Sequence, residues 1–195
     1  MTDNTAAFES AISSLGAEGG IVWVPAGNYL FNGTFTVPNF VTLQGTYDSP
    51  PAHNVGQHGL APYDGSVLMP TAGRGGDENG TSFIKIGSNA GVRGFSFWYP
   101  DSAVDAAPAS YPYTLDIVGE DSIVENVELL NSYNGIRAVQ CPRHYIARVT
   151  GQPVHRGIFI DEIYDIGRVV SSQGMRTALR SLLSIEWRSV KCPSR

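Results

Sequence analysis

Apolar residues recur along the start of the chain with two different periods. Between Asp3 and Leu15 they fall at Ala7, Phe8, Ala11, Ile12 and Leu15, the spacing of one helical face, with Asp3 or Asn4 as N-cap and Gly16 as a stop. Beyond Gly19-Gly20 the pattern changes to short β-rich runs. These are Ile21-Val22-Trp23-Val24, Tyr29-Leu30-Phe31 after the turn Pro25-Ala26-Gly27, and then Val41-Thr42-Leu43-Gln44-Gly45. One amphipathic helix followed by many short strands is the prediction.

Further along, the strands repeat as two interleaved sets. One set is Ile84-Lys85-Ile86, Leu115-Asp116-Ile117, Ile136-Arg137-Ala138 and Ile158-Phe159-Ile160, with starts separated by 31, 21 and 22 residues. The other is Val92-Arg93-Gly94-Phe95, Val124-Glu125-Asn126-Val127, Ile146-Ala147-Arg148-Val149 and Ile166-Gly167-Arg168-Val169, separated by 32, 22 and 20. A unit of this length cannot bury its apolar face alone, but stacked on its neighbour it makes a continuous core. The long spacing near 31 coincides with an Ala/Pro/Ser-rich insertion from Tyr99-Pro100 to Tyr111-Pro112-Tyr113. A β-sandwich also has short strands, but it calls for alternation at intervals of about 8–12 residues and no such repeated unit. The repeat favours a solenoid.

Composition sharpens this picture. With 195 residues, 16% of them charged, 22 Gly and 12 Pro, the chain suits one domain rich in turns. No run of 18 apolar residues occurs, so no membrane span is expected. Met1 leads into Thr2-Asp3-Asn4 rather than a basic and then apolar signal segment, and no compartment is assigned. Cys141 and Cys192 have no CxxC spacing and read as two free thiols. Residues 1–167 hold seven Lys+Arg and 17 Asp+Glu, whereas 168–195 hold six Lys+Arg against Glu186 alone. That basic tail has no recognisable docking motif, so no nucleic-acid partner is expected.

The run Asp3-Asn4-Thr5-Ala6-Ala7-Phe8, the stretch from Gly19-Gly20 through Pro25-Ala26-Gly27-Asn28-Tyr29, and Val41-Thr42-Leu43-Gln44-Gly45 together resemble the opening of pectate-lyase-superfamily proteins. The resemblance implies an all-β, right-handed parallel β-helix with an amino-terminal capping helix over residues 1–167. It also implies polysaccharide chemistry in a family whose members are typically secreted. Similar openings occur in lyases, glycoside hydrolases, epimerases and phage tailspikes. Residues 168–195 break both the charge and the repeat. Either a truncated coding region is read out of frame there, or the helical spacing within 175–183 supplies a terminal cap.

If the aliphatic residues of the first strand set point inward, Lys85, Asp116, Arg137 and Phe159 form an outward ladder. Asp161, Glu162 and Asp165 follow it, and Tyr133, Tyr111 and Tyr113 precede it. Aromatic faces beside charged groups suit a sugar-binding surface. Asp116, Asp161 and Glu162 are the candidate catalytic acids and bases, and Lys85, Tyr133, Arg137 and Phe159 the candidate substrate contacts. Two coils separate Asp116 from Asp161, on the order of 9–10 Å, at the edge of the roughly 6.5–9.5 Å used for inverting hydrolysis.

A lyase, with Lys85 or Arg137 as base, is the next expectation. A non-catalytic, oligomeric tailspike-type β-helix is the third. Plain alternatives also stand: Lys85 and Arg137 pairing with Asp116, and Tyr111 and Tyr113 anchoring a loop. His53, His58, His144 and His155 are too dispersed for a metal site, and no metal or cofactor is expected. The Asn-Thr-Asp, Asp-Asp and Gly-His-Gly signatures of polygalacturonase-type hydrolases are absent. Nor does the sequence show an obvious calcium-binding carboxylate array of the pectate-lyase kind.

Overall fold

The computed structural model describes residues 2–47, 65–102 and 108–170. His53, His58 and the 175–183 stretch lie outside them. The chain opens with helix α1 (Thr5–Ser13), followed by β1 (Gly20–Trp23), β2 (Gly27–Phe31), β3 (Phe35–Val37) and β4 (Val41–Gln44). Then come β5 (Ser66–Pro70), β6 (Ile84–Ile86), β7 (Gly91–Trp98), β8 (Tyr113–Ile117) and β9 (Ile123–Leu130). The last are β10 (Asn134–Val139), β11 (Tyr145–Gln152), β12 (Arg156–Asp161) and β13 (Arg168–Val170).

Every strand pair is parallel. One sheet runs β1-β4-β7-β9-β11-β13, with β5 joining β2 to β7, and the other runs β3-β6-β8-β10-β12. From β5 onward consecutive strands alternate between the two walls and each return stacks on the strand one coil earlier, which is a parallel β-helix. Within the first sheet the long strands bend at Gly94, Asn126 and Arg148, all in the left-handed region (φ 77°, 55° and 49°). Pairing skips these stacked positions and resumes beyond them, so each long strand serves two faces of the coil.

The core is a set of vertical stacks. Phe35, Ile84, Leu115, Ile136 and Ile158 share one column, and Val37, Ile86, Ile117, Ala138 and Ile160 another. Val92, Val124 and Ile146 stack on the opposite wall, and all three are fully buried. At the amino end, Phe8 and Ile12 of α1 are buried. Phe8 meets Phe31 edge-on with centroids 4.8 Å apart and Tyr29 at 5.6 Å. The helix thus covers apolar edges that would otherwise template association.

Of the two residues proposed as N-cap, Asn4 occupies the position but its side chain does not cap. The Asp3 carboxylate does the anchoring, accepting bonds from Thr5 Oγ1 (2.7 Å), Thr5 N (3.0 Å) and Asn32 N (3.1 Å). The Thr5 hydroxyl bond is the largest reason that the Asp3 carboxyl lies below its ordinary 3.8. A folded-state pKa below the unfolded one gives stabilisation that is complete above 3.8 and is lost as pH falls through the folded value. Asp3→Ala is expected to lower the melting temperature at neutral pH and to lose that effect in strong acid, as read by circular dichroism.

Three details differ from the sequence reading. β3 and β5 are not among the predicted strands; the β5 run Ser66-Val67-Leu68-Met69-Pro70 has no counterpart in the two repeat sets. The fourth member of the second set is shifted, since Ile146 pairs with Val169 rather than Ile166. The turn after β12 is one residue longer than the turn after β10, and Ile166 stands 68% exposed. Parallel pairing also runs on through Arg168–Val170, past the point where the repeat was expected to stop. At the insertion, Tyr99, Tyr111 and Tyr113 are buried. Tyr99 and Tyr111 pack with centroids 4.7 Å apart, and the Tyr99 hydroxyl bonds Thr114 Oγ1 at 2.8 Å, so the insertion's ends are anchored.

Candidate functional site

The outward column of the second sheet is Thr36, Lys85, Asp116, Arg137 and Phe159, one residue per rung. Adjacent positions stand ~4.8 Å apart, and the column's chemistry is decided by its central pair. Arg137 reaches down one rung and grips Asp116 with both arms, Nε to Oδ1 at 2.8 Å and Nη2 to Oδ2 at 2.5 Å. The Ser82 hydroxyl adds a third bond to Oδ2 at 3.3 Å. Asp116 is only 3% exposed, so both of its oxygens are occupied and sealed. The hydrogen bond to Asp116 also raises the Arg137 pKa above its ordinary value, which keeps the guanidinium charged.

Three residues back along each strand, Tyr113, Asn134 and Arg156 form a second column. Arg156 donates to Glu78 Oε2 at 2.9 Å and to the Tyr113 hydroxyl at 3.3 Å. Its guanidinium lies 5.0 Å from the Phe159 ring centroid. Phe159 in turn stacks on Tyr113 at 6.3 Å, and Arg137 sits 5.2 Å over the Tyr113 ring. Burial raises the Tyr113 phenol above its ordinary pKa, so that hydroxyl keeps its proton. Cation and aromatic faces are interleaved throughout this cluster.

Beside the second column, Tyr133 and His155 occupy equivalent turns one coil apart. Their rings are nearly parallel, with 12° between planes and centroids at 4.9 Å. The backbone repeats the relation, because His155 N bonds Tyr133 O at 2.9 Å. Asn134 fixes the imidazole. Its Nδ2 donates to Tyr111 O at 2.8 Å, so the Oδ1 facing His155 Nδ1 at 2.9 Å is the acceptor. Nδ1 therefore carries a proton, and in the neutral ring Nε2 holds the lone pair. Tyr133, Asn134, His155 and Arg156, together with the loop 75–79 and Ser110, wall a pocket of about 510 Å³.

The predicted residues divide among several places. Arg137 and Phe159 join the cluster around Tyr113 and Arg156, whereas Tyr133 lines the pocket beside His155. Lys85 opens instead into a second groove of about 530 Å³ between α1 and the sheet, beside Glu9, Thr36 and Ser82. Asp161 pairs with Val139, two positions beyond Phe159, so it leaves the column of Asp116. Two rungs and two residues put the backbones on the order of 12 Å apart. Asp161 Oδ1 accepts from the Glu162 amide at 2.9 Å, and Glu162 is held by Gln140. Asp165 pairs with Arg143 at 3.1 Å.

Asn134, Arg156, Asp77 and Glu78 are not candidates from the sequence, and His155 is considered there only against a metal site. The same 22-residue offset that aligns the strands carries Tyr133 onto His155 and Asn134 onto Arg156. Among the described residues no three His, Cys, Asp or Glu side chains are grouped to hold a metal, and no helix is long and apolar enough to cross a membrane.

An all-parallel coil of this kind, capped by a helix and carrying an aromatic and charged outer wall, defines a parallel β-helix protein, right-handed by the rule for parallel crossovers. The family model described as rhamnogalacturonase A/epimerase, pectate lyase-like, matches residues 1–129. The chain belongs to this family of polysaccharide-active β-helices. No curated protein and no solved structure matches it.

Proposed function

We propose that the chain binds a polysaccharide along the outer face of the second sheet, with one sugar unit seated in the pocket beside Tyr133 and His155. The observation that carries this reading is the flat Tyr133–His155 pair, 4.9 Å between centroids, bordering an open pocket rich in polar groups. Rings of this kind supply an apolar wall, and the neighbouring carboxylates, amide and imidazole supply directional bonds to hydroxyls. Hydrolysis of a glycosidic bond is the reaction this placement favours over elimination, because Asp77 and Glu78 line the same pocket and two carboxylates are what such hydrolysis uses. An acid/base pair of Asp116 with Asp161 or Glu162 would first need Arg137 to release Asp116.

A polysaccharide panel tests both levels. In affinity electrophoresis at least one polysaccharide should retard the chain, and Tyr133→Ala should weaken that retention about tenfold, the loss of roughly 1.5 kcal/mol of ring contact. Circular dichroism unchanged from the wild type keeps the comparison fair. Retention that survives both Tyr133→Ala and His155→Ala would refute the site. Reducing-sugar release abolished by Asp77→Asn or Glu78→Gln, but retained by Asp116→Asn and Asp161→Asn, would support the hydrolytic assignment. Release of unsaturated product would instead indicate elimination.

A further inference from the structure

The cations around the pocket are already paired with carboxylates, and this restricts what can enter. Arg156, the cation on its wall, holds Glu78 Oε2 at 2.9 Å and the Tyr113 hydroxyl at 3.3 Å. Arg137, the next cation along the face, is committed to Asp116 through both arms and to the Glu78 carbonyl at 3.2 Å. Asp77, on the pocket's rim, is exposed. Its Oδ1 accepts the Asn79 amide at 2.8 Å, and among the described residues no cation pairs with it. Lys85 is likewise without a carboxylate partner among the described residues, but it opens into the other groove, beside α1.

A sugar carboxylate in the pocket would therefore have to compete with Glu78 for the Arg156 charge while lying close to Asp77. A hydroxyl group meets no such conflict. It can donate to Asp77 or to His155 Nε2, and it can accept from the Tyr133 hydroxyl. The wider field acts in the same direction, since residues 1–167 hold seven Lys+Arg against 17 Asp+Glu and repel a polyanion at low ionic strength. We propose that this pocket takes an uncharged, hydroxyl-rich sugar unit and rejects uronates, so that the ligand of this chain is a neutral polysaccharide. The proposal rests on the assignment of the pocket to saccharide binding made above.

The test is affinity electrophoresis of the intact chain through gels that each hold one polymer: a neutral β-glucan, a galactomannan, an arabinan or polygalacturonate. Each gel is run at low and at physiological ionic strength. The expected result is retardation by at least one neutral polymer at both ionic strengths, with polygalacturonate at least tenfold weaker. Glu78→Gln frees Arg156 and removes one negative charge, and Asp77→Asn removes another. Each should raise retention by polygalacturonate several-fold, an outcome that general loosening of the fold does not produce. Wild-type retention by polygalacturonate equal to that by the neutral polymers overturns this inference while leaving saccharide binding intact. Failure of both substitutions to raise polygalacturonate retention also overturns it, by placing the discrimination outside the pocket. Retardation by none of the polymers overturns the inference and the saccharide-binding reading together.

Discussion

Arg137→Ala is expected to destabilise the chain by about 3–5 kcal/mol, because it strands a buried carboxylate rather than merely deleting a contact. Asp116 is 3% exposed and takes two of its three side-chain bonds from Arg137. Ser82 alone cannot compensate for its charge. The double substitution Asp116→Ala/Arg137→Ala removes the stranded charge with its partner and should recover most of the loss. Urea unfolding of the two single variants and the double variant gives the comparison. A double variant less stable than Arg137→Ala would show that the pair contributes mainly through attraction. Near-additive losses would show that the two residues act independently.

Ile136→Ala is the second large effect, at about 2–5 kcal/mol. Ile136 is fully buried in mid-stack, with Leu115 below it and Ile158 above, so neither neighbour can fall into the space without breaking register. Stabilities of native domains run to about 5–15 kcal/mol, which makes this loss a large share of the total. The same truncation at Ile158 makes the control. That side chain sits on the last rung of its sheet among the described residues and is half-buried, and the loss there should be clearly smaller. Equal urea midpoints for the two variants would mean that the stack does not grade burial along its axis.

The solenoid was legible because stacking forces equivalent residues into register. The triplets beginning at Ile84, Leu115, Ile136 and Ile158 align in the sheet as the repeat places them. Pairing of Asp116 with Arg137, one of the plain alternatives open from sequence, is likewise present. What escaped was local. β3 lies 49 residues before its partner β6, outside the coil period, and β13 pairs three residues beyond Ile166, only one of which the longer turn supplies.

The pocket escaped for a different reason. Its walls come from the first residues of β10 and β12, the turns before them, Ser110 and the loop 75–79, where no apolar periodicity marks a position. His155 was weighed only as a metal ligand. Applying the coil period to polar residues would have placed it on Tyr133 and so brought the two rings together.

Binding in that pocket is the claim on which the functional account depends, and hydrogen–deuterium exchange of the intact chain with and without a retained polysaccharide tests it most directly. Slower exchange confined to residues 75–79, 133–134 and 155–156 is the predicted result. Protection centred instead on the groove beside Lys85 and α1, or no protection at all from a polymer that retards the chain, would contradict it.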